Sequence, residues 1–93
     1  MIVTVKFHLI KVNYVSGKPE IVFPYGNDFY RMDWDKVPEK FKILYVVWLK
    51  LSGKEIPEHL KCYERDTVDV SDTNIEIDLD YCEKVPPAYP TVL

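Results

Sequence analysis

The chain has 93 residues, of which 47% are hydrophobic and 29% are charged, and its formal net charge is −3. This length gives one domain with one core, and the composition excludes an intrinsically disordered chain. The net negative charge argues against a simple nucleic-acid-binding protein, because neutralising phosphates requires a concentrated basic patch.

The most hydrophobic run, residues 41–51, includes Lys42 and Lys50 and is too short to span a bilayer. Lysines also interrupt the apolar amino terminus, and no small-residue cleavage site follows it. We therefore expect a cytoplasmic protein with no membrane partner, located in the host cytoplasm if the source is a virus. The absence of Gln and the abundance of Lys, Glu, Ile and Tyr indicate either a hyperthermophilic source, such as an archaeon or its virus, or an AT-rich genome, which biases composition in a similar way.

The amino-terminal third of the chain predicts three strands. Residues 2–15 are rich in β-branched and aromatic types, which predicts a half-buried strand with a bulge near Ile10, where the alternation shifts by one position. A turn at 16–19 leads to a second strand at 20–23, which Pro24 ends or places at a sheet edge. After another turn, residues 29–32 predict a short third strand.

Residues 37–52 predict the single helix, because apolar side chains repeat there at steps of three and four. Asp35 is predicted to cap its first turn, and Gly53 suits the left-handed residue that ends a helix. The predicted core face consists of Val37, Phe41, Leu44, Tyr45, Trp48 and Leu51. Three more apolar residues widen the hydrophobic surface beyond that face: Ile43, Val46 and Val47.

The last third of the chain predicts two strands and a tail. Residues 59–65 predict a fourth strand, with weak alternation, and residues 66–73 predict a turn region. In residues 74–83, Ile75, Ile77, Leu79 and Tyr81 alternate with Glu76, Asp78 and Asp80, which predicts a strand with one apolar and one acidic face. The proline-rich residues 85–93 predict an extended tail.

Together these elements predict an α+β fold in a single domain that spans residues 1–93. A mainly antiparallel sheet of four to five strands should carry the helix, at about 37–52, on one face. We expect the apolar faces of the first and last strands to meet the helix. The side chains in this predicted core are Val3, Val5, Phe7, Leu9, Ile75, Ile77, Leu79, Tyr81, Phe41, Leu44, Tyr45 and Trp48.

Charge is segregated along the chain: residues 1–63 carry ten basic and seven acidic residues, whereas residues 64–93 carry two and eight. In the acidic strand, Glu76, Asp78 and Asp80 would lie about 6.6–6.8 Å apart. This row is either a solvated face or a partner-binding surface that mimics a phosphate backbone and engages a basic groove.

A second candidate for partner binding is the segment that contains Tyr25, Phe29, Tyr30, Arg31 and Trp34. Aromatic residues and Arg are enriched at the energetic centres of protein interfaces. The alternative is that these side chains fill the core beneath the helix.

The two cysteines, Cys62 and Cys82, would come within reach of a disulfide if their strands formed a hairpin; otherwise they are two separate buried thiols. His59 and Cys62 are the only two His or Cys residues that lie close together in sequence. His8 and Cys82 could complete a tetrahedral site with them, but a zinc-binding sequence usually contains two such close pairs. We therefore predict no metal and no cofactor. No catalytic grouping is evident either, so we predict that the protein is not an enzyme; an enzyme would need His8 or His59 in a pocket beside a carboxylate or thiol.

These observations favour a small non-enzymatic interaction protein, of viral or mobile-element origin, that binds a protein partner or itself. A homodimer would form through the second apolar face of the helix or through a sheet edge. The alternative is a nucleic-acid-binding module that uses the nearby aromatic residues and six basic side chains: Lys6, Lys11, Arg31, Lys36, Lys40 and Lys42.

Overall fold

A computed structural model of the protein describes residues 1–86 and confirms the α+β fold. Its strands are β1 (Ile2–Lys6), β2 (Lys11–Val15), β3 (Lys18–Tyr25), β4 (Asp28–Asp33), β5 (Asn74–Asp78) and β6 (Glu83–Lys84), and its helix is α1 (Glu39–Leu51). Short 3-10 helices cover Phe7–Leu9, Trp34–Lys36, Glu58–Tyr63 and Leu79–Tyr81. No helix within residues 1–86 is long and apolar enough to cross a membrane.

The strands divide between two antiparallel sheets. One has four strands in the order β2-β3-β4-β6, and the other pairs β1 with β5. The prediction of one strand over residues 2–15 was wrong, because a 3-10 turn at Phe7–Leu9 separates β1 from β2 and sends them to different sheets. The Phe7 N–H donates to the Thr73 carbonyl at 2.8 Å, and the Ile10 N–H donates back to the Phe7 carbonyl at 3.1 Å. The bulge expected near Ile10 is therefore a change of direction.

The predicted amino-terminal hairpin forms, as does the predicted turn before the third strand, and the first of these turns explains Gly17. Ser16 and Gly17 both adopt positive φ, 52° and 79°, as a tight two-residue hairpin turn of type I′ requires. The central strand β3 tolerates two prolines because each lies where only one neighbouring strand is paired. Pro19 faces Tyr14 of β2, before the pairing with β4 begins, and Pro24 faces Phe29 of β4, after the pairing with β2 has ended.

The helix is shorter than predicted and begins without the predicted cap. Pro38 is its N-cap residue and supplies no side-chain hydrogen bond, while Asp35 lies in the preceding 3-10 turn. The prediction for Gly53 was right: it adopts φ 70°, and the Lys54 N–H donates to the Leu49 carbonyl at 2.9 Å. This bond spans six residues and is the wider of the two hydrogen bonds in a Schellman motif, which satisfies the last carbonyls of a helix.

The main core lies between α1 and the two sheets. Its fully buried centre includes Ile21 and Phe23 of β3, Phe41 of α1, and Ile75 and Ile77 of β5. Most of the predicted core residues are buried or half-buried, but Leu9, Trp48, Leu51 and Tyr81 are exposed. The helix therefore turns a narrower face to the sheets than its apolar pattern indicates.

A smaller cluster on the other flank of α1 corrects two expectations. Residues 59–65 are not a strand, because Glu58–Tyr63 forms a 3-10 helix that buries Leu60 completely against Val46 and Leu49. Val46, one of the surplus helix residues on which self-association was predicted to depend, is thus covered by the chain itself. The other two, Ile43 and Val47, are half-buried.

The strand with one apolar and one acidic face is real but short. Ile75 and Ile77 are fully buried, while Glu76 between them is exposed. The prediction fails beyond Asp78, where the Asp78 carboxylate accepts the Asp80 N–H at 3.0 Å and starts a 3-10 turn. The predicted tail begins with Val85, whose N–H donates to the Phe29 carbonyl at 2.9 Å. The remainder of that prediction, from residue 87 onward, lies outside the described residues.

Candidate functional site

The aromatic residues predicted to bind a partner do not share one surface. Tyr25 and Phe29 are exposed near the β3–β4 turn. Tyr30 stacks on Phe23 with ring centroids 6.1 Å apart, and Trp34 packs edge-on against Phe41 at 6.4 Å. Two of the predicted aromatic residues therefore contribute to the core, and two lie at the end of a hairpin.

Arg31 is held within the protein by carboxylates. Its Nε donates to Oε1 of the buried Glu20 at 2.7 Å, and its other nitrogens pair with Asp33 and, at 3.5 Å, with Glu83. Asn13 also donates to the Glu20 carboxylate at 3.0 Å. Burial alone would lower the pKa of Arg31, but the hydrogen bonds to Glu20 and Asp33 outweigh it and raise that pKa. These contacts leave the guanidinium little capacity for a partner.

Lys42 occupies a buried position between α1 and the 3-10 helices that flank it. Its Nζ lies 5.1 Å from the centre of the Trp34 ring and 5.2 Å from that of Tyr63, and it donates to the Tyr63 hydroxyl at 3.4 Å. Cation–π contacts of this kind stabilise a desolvated lysine. The arrangement ties the smaller cluster to the main core.

The acidic row does not continue along one strand. Glu76 is exposed on β5, whereas the Asp78 and Asp80 carboxylates converge on the Met1 ammonium at 3.3 and 3.2 Å. The pKa of Asp78 is lowered, first by the Asp80 N–H and then by that ammonium. The even carboxylate spacing on which phosphate mimicry was predicted does not extend past Asp78.

Neither of the cysteines is bonded. The predicted hairpin does not exist, because Cys62 lies in a 3-10 helix on α1 and Cys82 lies beside β6. Cys62 is exposed and Cys82 is half-buried, so the alternative of two buried thiols was also wrong for Cys62. Burial is the main cause that raises the pKa of Cys82 to about 11, with a smaller contribution from Asp78.

No three His, Cys, Asp or Glu side chains within residues 1–86 cluster closely enough to hold a metal ion. The His59 ring packs edge-on against Trp34 at 5.7 Å and against Tyr14 at 6.1 Å. Cys62, its predicted co-ligand, is exposed. The ring of His59 is thus part of an aromatic contact between β2 and the 3-10 helix Glu58–Tyr63.

The most distinctive surface lies between β2 and the second half of α1, and we call it the aromatic groove. It has a volume of about 340 Å³, and its lining consists of Phe7, His8, Ile10, Lys11, Val12, Tyr45 and Trp48. Three rings of α1 form a stack that rises from the core into this groove. Tyr45 lies parallel to buried Phe41 at 5.8 Å and to Trp48 at another 5.8 Å, and Trp48 is 42% exposed.

The polar side chains among the described lining residues of the aromatic groove are basic or neutral. Two of these polar residues, His8 and Lys11, are exposed, and none of the seven lining residues is acidic. A second lysine, Lys54, places its Nζ 4.8 Å from the centre of the Trp48 ring. Burial, followed by the neighbouring Tyr14, raises the pKa of Tyr45, so its hydroxyl stays neutral at physiological pH. The groove is suited to an apolar group that carries negative charge beside it.

Sequence patterns alone did not identify this groove. Tyr45 and Trp48 fall on the predicted core face of the helix, and the 3-10 turn that brings Phe7 and Ile10 beside them was expected to be a strand. The available signal was the i, i+3 spacing of two large aromatic residues near a helix end that lysines flank.

Comparison of the chain with protein-family models, with curated proteins and with solved structures found no match.

Proposed function

We propose that this protein is a non-enzymatic binding module that captures an apolar, negatively charged segment of a partner protein in the aromatic groove. The observation that carries the proposal is the Phe41–Tyr45–Trp48 stack, whose outer rings line an open groove bordered by cations.

The stack makes Trp48 suitable as an anchor for a partner. Its indole rests on Tyr45, which rests in turn on a fully buried Phe41, so the exposed ring is supported from below. A rigid aromatic side chain loses little conformational entropy when it is covered, which is why Trp and Tyr dominate binding hot spots. The volume of about 340 Å³ falls in the usual range of about 300–1,000 Å³ for ligand pockets.

The nucleic-acid alternative receives less support from the positions of its basic residues. Arg31 is paired with three carboxylates, and Lys40 bonds Asp72 at 2.9 Å. Lys42 is buried, and the Nζ of Lys36 lies over the Tyr81 ring at 5.5 Å. Four of the six basic side chains are thus engaged within the protein, which argues against the concentrated patch that phosphate binding requires.

A peptide titration tests the proposal. The probe is a fluorescein-labelled octapeptide that alternates Leu or Phe with Asp or Glu, and the readout is fluorescence anisotropy. We expect saturable binding that Trp48→Ala weakens at least tenfold. The matched control is Phe29→Ala, because Phe29 is also 42% exposed but lies outside the groove; it should change the Kd less than twofold.

Three results would overturn the proposal. They are the absence of binding up to millimolar peptide, equal effects of Trp48→Ala and Phe29→Ala, and tighter, Trp48-dependent binding of a single-stranded oligonucleotide at low salt. Light scattering at micromolar concentration covers the case in which the partner is a second copy, since a monomer has a mass of 11.0 kDa. The expected viral or hyperthermophilic source and cytoplasmic location stay predictions from composition.

A further inference from the structure

The aromatic groove runs beside the edge of a sheet. In the order β2-β3-β4-β6, β2 is an outer strand, and within residues 1–86 it pairs with β3 only. Lys11 and Val12 of β2 line one side of the groove, and Tyr45 and Trp48 of α1 line the other. The groove thus lies between an edge strand and a helix.

The hairpin turn determines which backbone groups of β2 point away from β3. In a turn at Ser16 and Gly17, the Val15 carbonyl accepts the Lys18 N–H, so these two residues form a hydrogen-bonded pair. Hydrogen-bonded and non-bonded pairs alternate along an antiparallel ladder. The bonded pairs are therefore Asn13 with Glu20 and Lys11 with Val22, and the intervening residues, Val12 and Tyr14, direct their N–H and C=O groups outward.

Pro19 supports this assignment independently. Pro19 lies opposite Tyr14 and has no N–H to donate. A proline at this position costs no ladder hydrogen bond only if the Tyr14–Pro19 pair is a non-bonded one, as the turn predicts. The outward groups of Val12 and Tyr14 have the spacing of alternate strand residues, about 6.8 Å. This spacing matches the requirement for an added strand.

From these positions we infer that the partner segment is extended and joins the sheet as a fifth strand beside β2, an inference that rests on the proposed function. Its backbone bonds the outward groups of Val12 and Tyr14, and alternate apolar side chains enter the groove against Tyr45 and Trp48. Backbone bonds supply affinity in such strand addition, while the pockets for alternate side chains supply specificity.

Charge selects the composition of that segment. His8 and Lys11 line the groove, Lys54 lies over Trp48, and none of the lining residues within 1–86 is acidic. A strand that alternates apolar residues with Asp or Glu places its apolar side chains in the groove, and its carboxylates then point to the opposite face of the sheet, toward Lys11, which alternates with Val12 along β2. A basic strand would meet like charges instead.

An N-methyl scan of the octapeptide tests strand addition. Methylation removes one backbone donor at a time, so we expect a loss of affinity of at least tenfold at every second position and less than threefold at the positions between. Replacing the acidic residues of the probe by Lys should weaken binding at least tenfold. If the unmethylated peptide binds through Trp48 but methylation shows no two-residue period, strand addition is wrong and the proposed function stands; if that peptide does not bind, both fail.

Changes in the protein test the same inference from the other side. Val12→Pro removes the outward N–H without breaking a bond to β3, and Val12→Ala is the control for the lost side chain. We expect Val12→Pro to bind the octapeptide at least tenfold more weakly than Val12→Ala does. If Val12→Pro does not fold, amide exchange in the wild-type complex decides: saturating peptide should slow exchange at Val12 and Tyr14 at least tenfold, and unchanged exchange at both would exclude strand addition.

Discussion

The two flanks of helix α1 are both apolar, but one is covered by the chain and the other is open to solvent. On one flank, the 3-10 helix Glu58–Tyr63 covers Val46 and Leu49 with Leu60. On the other, Tyr45 and Trp48 line an open groove beside β2. An excess of hydrophobic residues on a helix therefore indicates that something covers it, but only the path of the chain shows which flank is covered from within and which is available to a partner.

The largest expected effect is on the free energy of unfolding, which should fall much more for a substitution on the covered flank than for one on the open flank. Leu60→Ala should lower the free energy of unfolding by about 3 kcal/mol, because it leaves a cavity in a fully buried cluster. Trp48→Ala should cost only about 1 kcal/mol, since its ring is already 42% exposed. Urea denaturation measures both changes. The control is Leu51→Ala, whose side chain is 83% exposed and which should change stability by less than about 0.5 kcal/mol. Equal losses for Leu60→Ala and Trp48→Ala would contradict the distinction.

The next effect extends the comparison to the charged residues. Arg31→Met removes the guanidinium from a Glu20 carboxylate that is only 3% exposed, and should lower stability by about 2 kcal/mol after allowance for the partial exposure of Arg31. It should leave peptide binding at the aromatic groove unchanged. The double variant Glu20→Leu with Arg31→Met should recover most of the loss, because an apolar pair can replace a buried ion pair. Weaker peptide binding by Arg31→Met would show that the two regions are coupled.

The smallest effect concerns the two thiols, one exposed and one half-buried. With a pKa of about 11, Cys82 is about one part in a thousand thiolate at pH 8, so a disulfide reagent should label it at least tenfold more slowly than Cys62. Cys62→Ser should remove the fast phase and Cys82→Ser the slow one. Since folding raises this pKa from 9.0, the stability that the neutral thiol contributes is complete below about pH 9 and is lost as the pH rises through 11. Equal labelling rates would contradict the assignment.

The fold class could be predicted because local signals and tertiary contacts agree in most elements. The turn at Ser16 and Gly17, the helix end at Gly53 and the buried Ile75 and Ile77 all follow from the backbone preferences or alternation of those residues. The predictions fail where a contact with a distant residue determines the local secondary structure. Residues 58–63 pack on the helix through Leu60 instead of joining a sheet. The strand β1 ends where the Phe7 N–H donates to the Thr73 carbonyl.

The candidate site was less predictable for the same reason. Arg31 and its neighbouring aromatics have the composition of an interface, but the carboxylate of buried Glu20, on the adjacent strand, accepts a hydrogen bond from Arg31 and another from Asn13. Conversely, Tyr45 and Trp48 have the spacing of core residues and line a surface groove. A sequence gives the chemistry of a side chain, whereas its availability depends on which distant residues surround it.

The pairing of β1 with β5 carries a cost that the local hairpins avoid. Lys6 and Asn74 face each other across the ladder, so the intervening segment of almost 70 residues must close into a loop, at an entropic cost on the order of 4 kcal/mol. Four aliphatic side chains of this sheet, Val3, Val5, Ile75 and Ile77, are buried, and each contributes about 1.5–3 kcal/mol. Burial of these four side chains against the core thus exceeds the closure penalty, so the core beneath the sheet holds together two strands that are far apart in sequence.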